Sequence, residues 1–247
     1  MNSDMSVQDS SNQKWGFTGT LIWGILISLL YIIIQVTAVL AYAQINYGNI
    51  SEELLSELEF DATALSLATI STLIICNMAV CGVIKLKKNS SLKSYLALNR
   101  ISLSEIRYWV IATIVLIIVF DTLTYFLGKP IVPEFMSEVY NSANHLWLLV
   151  IALVVAAPVF EELFFRGFLI SGLSSTFIGP IGAILLSSIS WAAVHLQYDL
   201  YGMFMIFVAG ILLGVARLKT NSLFIPILMH ATMNMVAIIE AIINAAI

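Results

Sequence analysis

The run Glu161-Glu162-Leu163-Phe164-Phe165-Arg166 sets three ionisable side chains against an uncharged stretch that begins at Leu146. A charge at the centre of a membrane helix costs about 2.5–3.5 kcal/mol on insertion scales, so three unpaired ones would cost about 7–10 kcal/mol. Glu162 and Arg166 are four residues apart, which places them on one helical face where they can pair. Glu161 lies about 100° around the axis and lacks that partner. Pro158 has no backbone N–H, which predicts a loosened helix beside the acids. A plainer explanation makes Glu161-Glu162 the surface end of a shorter helix. It is weakened by Phe164, Phe165, Phe168, Leu169 and Ile170, which carry the apolar pattern past the charges.

Two further apolar stretches carry His195, four residues after Trp191, and His230, four residues before Asn234. A single histidine near an apolar helix end is usually structural. Two of them with an asparagine and a glutamate pair, on three separate stretches, point to one inward-facing cluster, because polar groups in a membrane turn toward one another. Such a cluster suits hydrolysis. A carboxylate in an apolar setting can act as general base toward water, one histidine can hold that water, and a second histidine with an asparagine amide can donate to an oxyanion. The same groups can instead ligate zinc, which would lower the pKa of a bound water. The residues leave both routes open. Neither His-Glu-x-x-His nor Gly-x-Ser-x-Gly occurs, and Tyr198-Asp199 falls in a predicted loop. His145, in a polar loop, reads as structural. Gln35, Asn77 and Asp121 are isolated polar residues without a visible partner, and Glu240 is placed near a span end.

The elements that must carry this cluster follow from composition. Of 247 residues, 60% are hydrophobic and 11% charged, and the mean hydropathy is +0.97. Soluble domains carry about 25% charged residues, so lipid is the expected solvent. With a net charge of −4 and no long basic face, nucleic acid is not expected as a partner. Seven uncharged runs are long enough for helices: Leu21–Tyr42, Ala62–Ile84, Tyr108–Leu127, Leu146–Leu169, Ile178–His195, Tyr201–Leu218 and Leu223–Ala246. The expectation is an all-α, polytopic transmembrane bundle of about seven helices, with six to eight allowed by the closely spaced last spans. Lys85, Lys87, Lys88, Lys93, Arg100 and Arg107 fall in one connection, whereas Glu52, Glu53, Glu57, Glu59 and Asp61 fill the one before it. The positive-inside rule then places the N-terminus, Lys14, Arg217 and Lys219 in the cytoplasm, and the C-terminus outside. The first run is longer than a signal-peptide core and reads as an uncleaved anchor. Cys76 and Cys81 lie five apart in one helix and cannot pair well. The segment Gly128–His145 is the longest candidate for an ordered outer loop.

Glu161-Glu162-x-x-x-Arg166, Trp191-x-x-x-His195 and His230-x-x-x-Asn234 together resemble the three motifs of the CAAX-protease and bacteriocin-processing family of intramembrane endopeptidases. The resemblance covers Leu146 to Asn234. It departs from the family's usual Phe at Trp191, and the first three spans carry no family motif. It implies Glu161 as the catalytic base, His195 as a water ligand, His230 and Asn234 as oxyanion donors or part of a metal site with Glu161 and His195, and Glu162 with Arg166 as support. The metal, if present, would be zinc. It divides the chain into a polar cytoplasmic tail over 1–20, N-terminal helices over 21–145 and a catalytic core over 146–247. Partners implied are membrane lipid and a peptide or protein substrate, with roles in peptide processing or bacteriocin immunity. Two competing readings are a non-proteolytic partner of a sensor kinase or peptide exporter, and a proton-carrying transporter. One tension remains. Straight spans leave Glu161 and His230 in the inner half of the bilayer but His195 near the outer face, so either the fifth span starts after Ile178 or the fourth breaks at Pro158.

Overall fold

Each uncharged run becomes a helix, because in lipid the backbone must satisfy its own hydrogen bonds. The computed structural model describes residues 14–246, so most of the polar tail expected over 1–20 lies outside the described residues. Helix α1 is Phe17–Tyr47, α2 is Glu52–Leu58, α3 is Ala62–Leu86, α4 is Leu92–Tyr95 and α5 is Leu103–Phe126. There follow α6 (Glu134–Asn141), α7 (Leu146–Leu173), α8 (Gly179–Ala193), α9 (Leu200–Thr220) and α10 (Phe224–Ala245). Six of these, α1, α3, α5, α7, α9 and α10, are long and apolar enough to cross a membrane. The protein is a multi-pass, all-α membrane bundle. Residues 17–20, expected in the tail, already form the first turn of α1.

The fifth run is shorter than a span. At 15 residues, α8 rises about 22 Å against a hydrocarbon core of about 30 Å. His195 lies two residues past its end, and its ring meets Trp191 at 5.4 Å between centroids. Helix α7 does not break at Pro158. It runs on to Leu173, with π-helical winding over Ile151–Ala156 and Leu163–Leu169 on either side of the α-helical turn Ala157–Glu162. The first π stretch ends just before Pro158, where a missing N–H and a bulky ring are least disruptive. The residue five places after Leu153 is Pro158, which has no N–H to give, and Asn234 Nδ2 donates to Leu153 O instead at 2.6 Å; Phe165 O accepts the Ile170 N–H and also Ser187 Oγ at 3.0 Å. With a short α8 and a rewound α7, Glu161, His195 and His230 meet around the Trp191 ring.

Aromatic rings fix α7 laterally. Tyr31, Phe160, Phe164, Phe168 and Tyr95 stack in series at 5.6–6.3 Å between centroids. Helix α1 crosses α7 closely at Gly172, where an added Cβ would lie 2.8 Å from Thr20 Cγ2 and closer still to its hydroxyl. The segment after Gly128 is ordered, as expected. It carries α6, which buries Met136 and Val139, and Ser142 Oγ ties it to the start of α3 by donating to Phe60 O at 2.7 Å and accepting from Ala62 N at 2.9 Å. At the opposite end, the α4–α5 connection is laced to the α9–α10 turn. Leu223 N donates to Ala97 O at 3.0 Å, Asn99 Nδ2 to Asn221 O at 2.7 Å and Ser222 Oγ to Asn99 O at 2.9 Å.

Candidate active site

The two adjacent glutamates of α7 point into different surroundings. Glu162 and Arg166 have no exposed surface, and Arg166 Nη1 donates to Glu162 Oε1 at 2.8 Å, as the four-residue spacing predicts. The same oxygen lies 2.9 Å from His230 Nδ1. Arg166 Nη2 also donates to Gly210 O at 3.3 Å, and the guanidinium lies 4.3 Å over the Trp191 ring. Gly210 permits this approach, since a Cβ there would stand 3.2 Å from Arg166 Nη2. Fully desolvated charges require such pairing, and Arg166, Glu162 and His230 form one buried chain that joins α7 to α10.

Glu161 is half-buried on the wall of a cavity of about 1080 Å³. Its Oε2 accepts a hydrogen bond of 2.5 Å from Trp191 Nε1. The Trp191 ring meets His195 at 5.4 Å and His230 at 5.1 Å between centroids, edge to face with both. His195 Nδ1 lies 2.7 Å from the Trp191 carbonyl oxygen, which only accepts, so Nδ1 carries the hydrogen and Nε2 is the open nitrogen. His230 Nδ1 is likewise taken, by Glu162. Asn234 spends one amide hydrogen on Leu153 O and keeps another. Glu161, Trp191, His195, His230 and Asn234 all line the cavity, whereas Glu162 and Arg166 stand behind it. His145 packs near Trp147 at 6.4 Å, away from this cluster.

Sequence reasoning treated Trp191 only as the aromatic of a motif. Here its N–H is the hydrogen-bond donor that holds Glu161, a tertiary contact that no spacing within α8 announces. Asp121 on α5 and Glu240 on α10 lie close to one another and line the same cavity. Gln35 finds Thr72, donating at 3.2 Å. At the rim, Lys129 Nζ donates to Asp199 Oδ2 at 2.7 Å, and this bond, with one from Gly202 N–H, holds the Asp199 carboxyl below the usual carboxylate range.

The three candidate zinc ligands do not converge. The Trp191 indole touches Glu161, His195 and His230 together, both Nδ1 atoms are committed elsewhere, and among the described residues no three His, Cys, Asp or Glu side chains gather as a metal site.

Fold and site define a polytopic membrane protein with a carboxylate, two histidines and an asparagine around an intramembrane cavity. Residues 143–236 match the sequence model of the family described as type II CAAX prenyl endopeptidase Rce1-like, and this segment carries all of the clustered site residues. A curated Escherichia coli protein described as "Uncharacterized 24.3 kDa protein" is 29% identical over 114 residues, which make up 43% of this chain and 52% of that protein. The chain thus matches about half the length of that relative. No solved structure matches the chain.

Proposed function

We propose that the protein is an intramembrane endopeptidase in which Glu161 activates water for attack on a peptide bond. The observation that carries this reading is the division of labour within the glutamate pair: Glu162 is neutralised and hidden by Arg166 and His230, while Glu161 makes no ion pair among the described residues and faces a cavity large enough for several residues of a peptide. The Trp191 N–H fixes one oxygen of Glu161, and the other is available to a water. The open Nε2 of His195, whose ring packs edge to face on the same indole, accepts a hydrogen from that water and orients it. As the water oxygen attacks the carbonyl carbon, its proton passes to Glu161, and the carbonyl oxygen gains negative charge. The remaining Asn234 amide hydrogen and the His230 ring edge sit on the adjoining wall, where donors to that oxygen are needed. Glu161 then returns the proton to the departing amine.

In this reading 146–247 is the catalytic core, 21–145 encloses the cavity, and the N-terminus is cytoplasmic. Glu161→Gln keeps shape and hydrogen-bond capacity but loses the base. The purified variant is expected to unfold at the wild-type temperature and to cleave no peptide from a library of internally quenched peptides that the wild type cleaves. Wild-type cleavage rates in Glu161→Gln would remove Glu161 from the mechanism.

A further inference from the structure

The cavity opens at one end of the bundle. Its loop residues come from the α5–α6 connection and α6 itself (Lys129, Pro130, Glu134), from the α8–α9 connection (Gln197, Asp199) and from Glu59 just before α3. No lining residue comes from 87–102, 174–178 or 221–223, the connections at the other end. That other end is closed by the hydrogen bonds between Ala97 or Asn99 and the Asn221–Leu223 turn. It is also filled by Leu96 Cδ2, which lies 2.8 Å from where a Cβ on Gly167 would be.

The two ends differ sharply in charge. Lys14, Lys85, Lys87, Lys88, Lys93, Arg100, Arg107, Arg217 and Lys219 all lie at the closed end, and Lys129 is the one basic residue of the connections at the open end among the described residues. Nine against one is a strong positive-inside asymmetry, and it puts the closed end in the cytoplasm. The open end holds Glu52, Glu53, Glu57, Glu59 and Asp61, and the cavity wall adds Asp121, Glu134, Glu161, Asp199 and Glu240. Lys129 is already bound to Asp199. A field of this sign draws in basic chains and repels acidic ones.

We infer that the substrate reaches Glu161 from the extracytoplasmic side. It is an exported peptide, or the outer flank of a membrane-anchored one, with neutral or basic residues around the scissile bond. A lipidated tail presented from the cytosol would meet the sealed end. This rests on the endopeptidase reading for the identity of the occupant, but its sidedness stands on charge and cavity geometry alone.

The test separates the two. In a Cys76→Ala/Cys81→Ala background, Gln197→Cys at the mouth and Lys88→Cys at the closed end are each exposed to a charged, membrane-impermeant maleimide in intact cells and again after permeabilisation. Labelling of Gln197→Cys in intact cells, with Lys88→Cys labelled only after permeabilisation, supports the inference; the reverse pattern overturns it, whether or not the protein cleaves anything. In a second arm, internally quenched peptides with basic, neutral or acidic flanks are added to intact cells. Cleavage of the basic and neutral sets by wild-type cells but not by Glu161→Gln cells supports the substrate assignment. Cleavage that appears only after permeabilisation, or a preference for acidic flanks, refutes it. Outside labelling of Gln197→Cys with no cleavage of any peptide by intact, permeabilised or purified protein would leave sidedness standing and count against the endopeptidase reading.

Discussion

Replacing Glu162 should damage the protein in a way that replacing its neighbour Glu161 does not. Glu162 is completely buried, and its Oε1 is shared by Arg166 at 2.8 Å and His230 at 2.9 Å. Removing one partner of a buried ion pair costs about 3–5 kcal/mol, because the remaining charge is stranded in a medium that cannot solvate it. At roughly 2–4 °C per kcal/mol for a chain of this size, Glu162→Ala is expected to unfold about 6–20 °C below wild type. Glu161→Gln keeps a half-buried wall residue of the same shape and an acceptor for Trp191, so its midpoint should stay within about 2 °C. The assay is thermal unfolding of detergent-purified protein, followed by loss of the monodisperse peak on size exclusion after heating. Converting both charges to apolar residues, Glu162→Met with Arg166→Met, removes the stranded cation and should recover much of the loss, short of the bond that His230 no longer makes. If Glu162→Ala unfolds with the wild type, or the double variant is worse than the single one by the full second cost, the buried chain is not what holds α7 to α10.

Three other outcomes follow from the same geometry. Asn234→Ala releases Leu153 O and removes the spare amide hydrogen, so peptide cleavage should fall about 10²–10³-fold while stability falls by only about 1 kcal/mol; equal kcat with a lower midpoint would make Asn234 purely structural. Gly172→Ala drives a methyl into Thr20 at the α1–α7 crossing and should cost about 1–3 kcal/mol of stability in the unfolding assay, with Thr20→Ala in the same chain relieving it. The Lys129–Asp199 bond lowers the pKa of Asp199, so the small stability it contributes is present above the unfolded carboxylate range of about pH 4 and is lost as pH falls through the lower folded value. The midpoint difference between wild type and Lys129→Ala should therefore be constant from neutral pH to about pH 5 and shrink progressively as the pH falls below about 4.

The membrane architecture was legible because a span is a one-dimensional signal. A run of about 20 uncharged residues has few other uses, and the helix ends fall within a few residues of where charge resumes. Glu162 and Arg166 were legible for a similar reason, as helical neighbours at a fixed spacing. What the sequence withheld is tertiary. Nothing in the His230-x-x-x-Asn234 pattern says that the histidine bonds Glu162 rather than Glu161, or that the asparagine donates to Leu153 O, the carbonyl that Pro158 cannot serve. Periodicity assumes regular turns, so a helix loosened at Pro158 can be read only as a candidate break where it in fact rewinds, and Ile178–His195 reads as a span where a 15-residue helix stops short. Asp121 and Glu240 looked unrelated because their contact joins helices more than a hundred residues apart in sequence.

The chain through Glu162 also has an order in time. Arg166 emerges from the ribosome just after Glu162 and can neutralise it inside α7 at once, which lets that segment enter the bilayer without two bare charges. Trp191, the anchor of Glu161, is made 30 residues later, and His230 arrives 68 residues after Glu162, on α10. Until α10 has inserted, the cavity lacks one wall and the nascent chain has no working constellation. Assembly of the bundle is thus a built-in delay: the site is incomplete until α10 is in place, and a chain stalled after α9 would lack both His230 and Asn234.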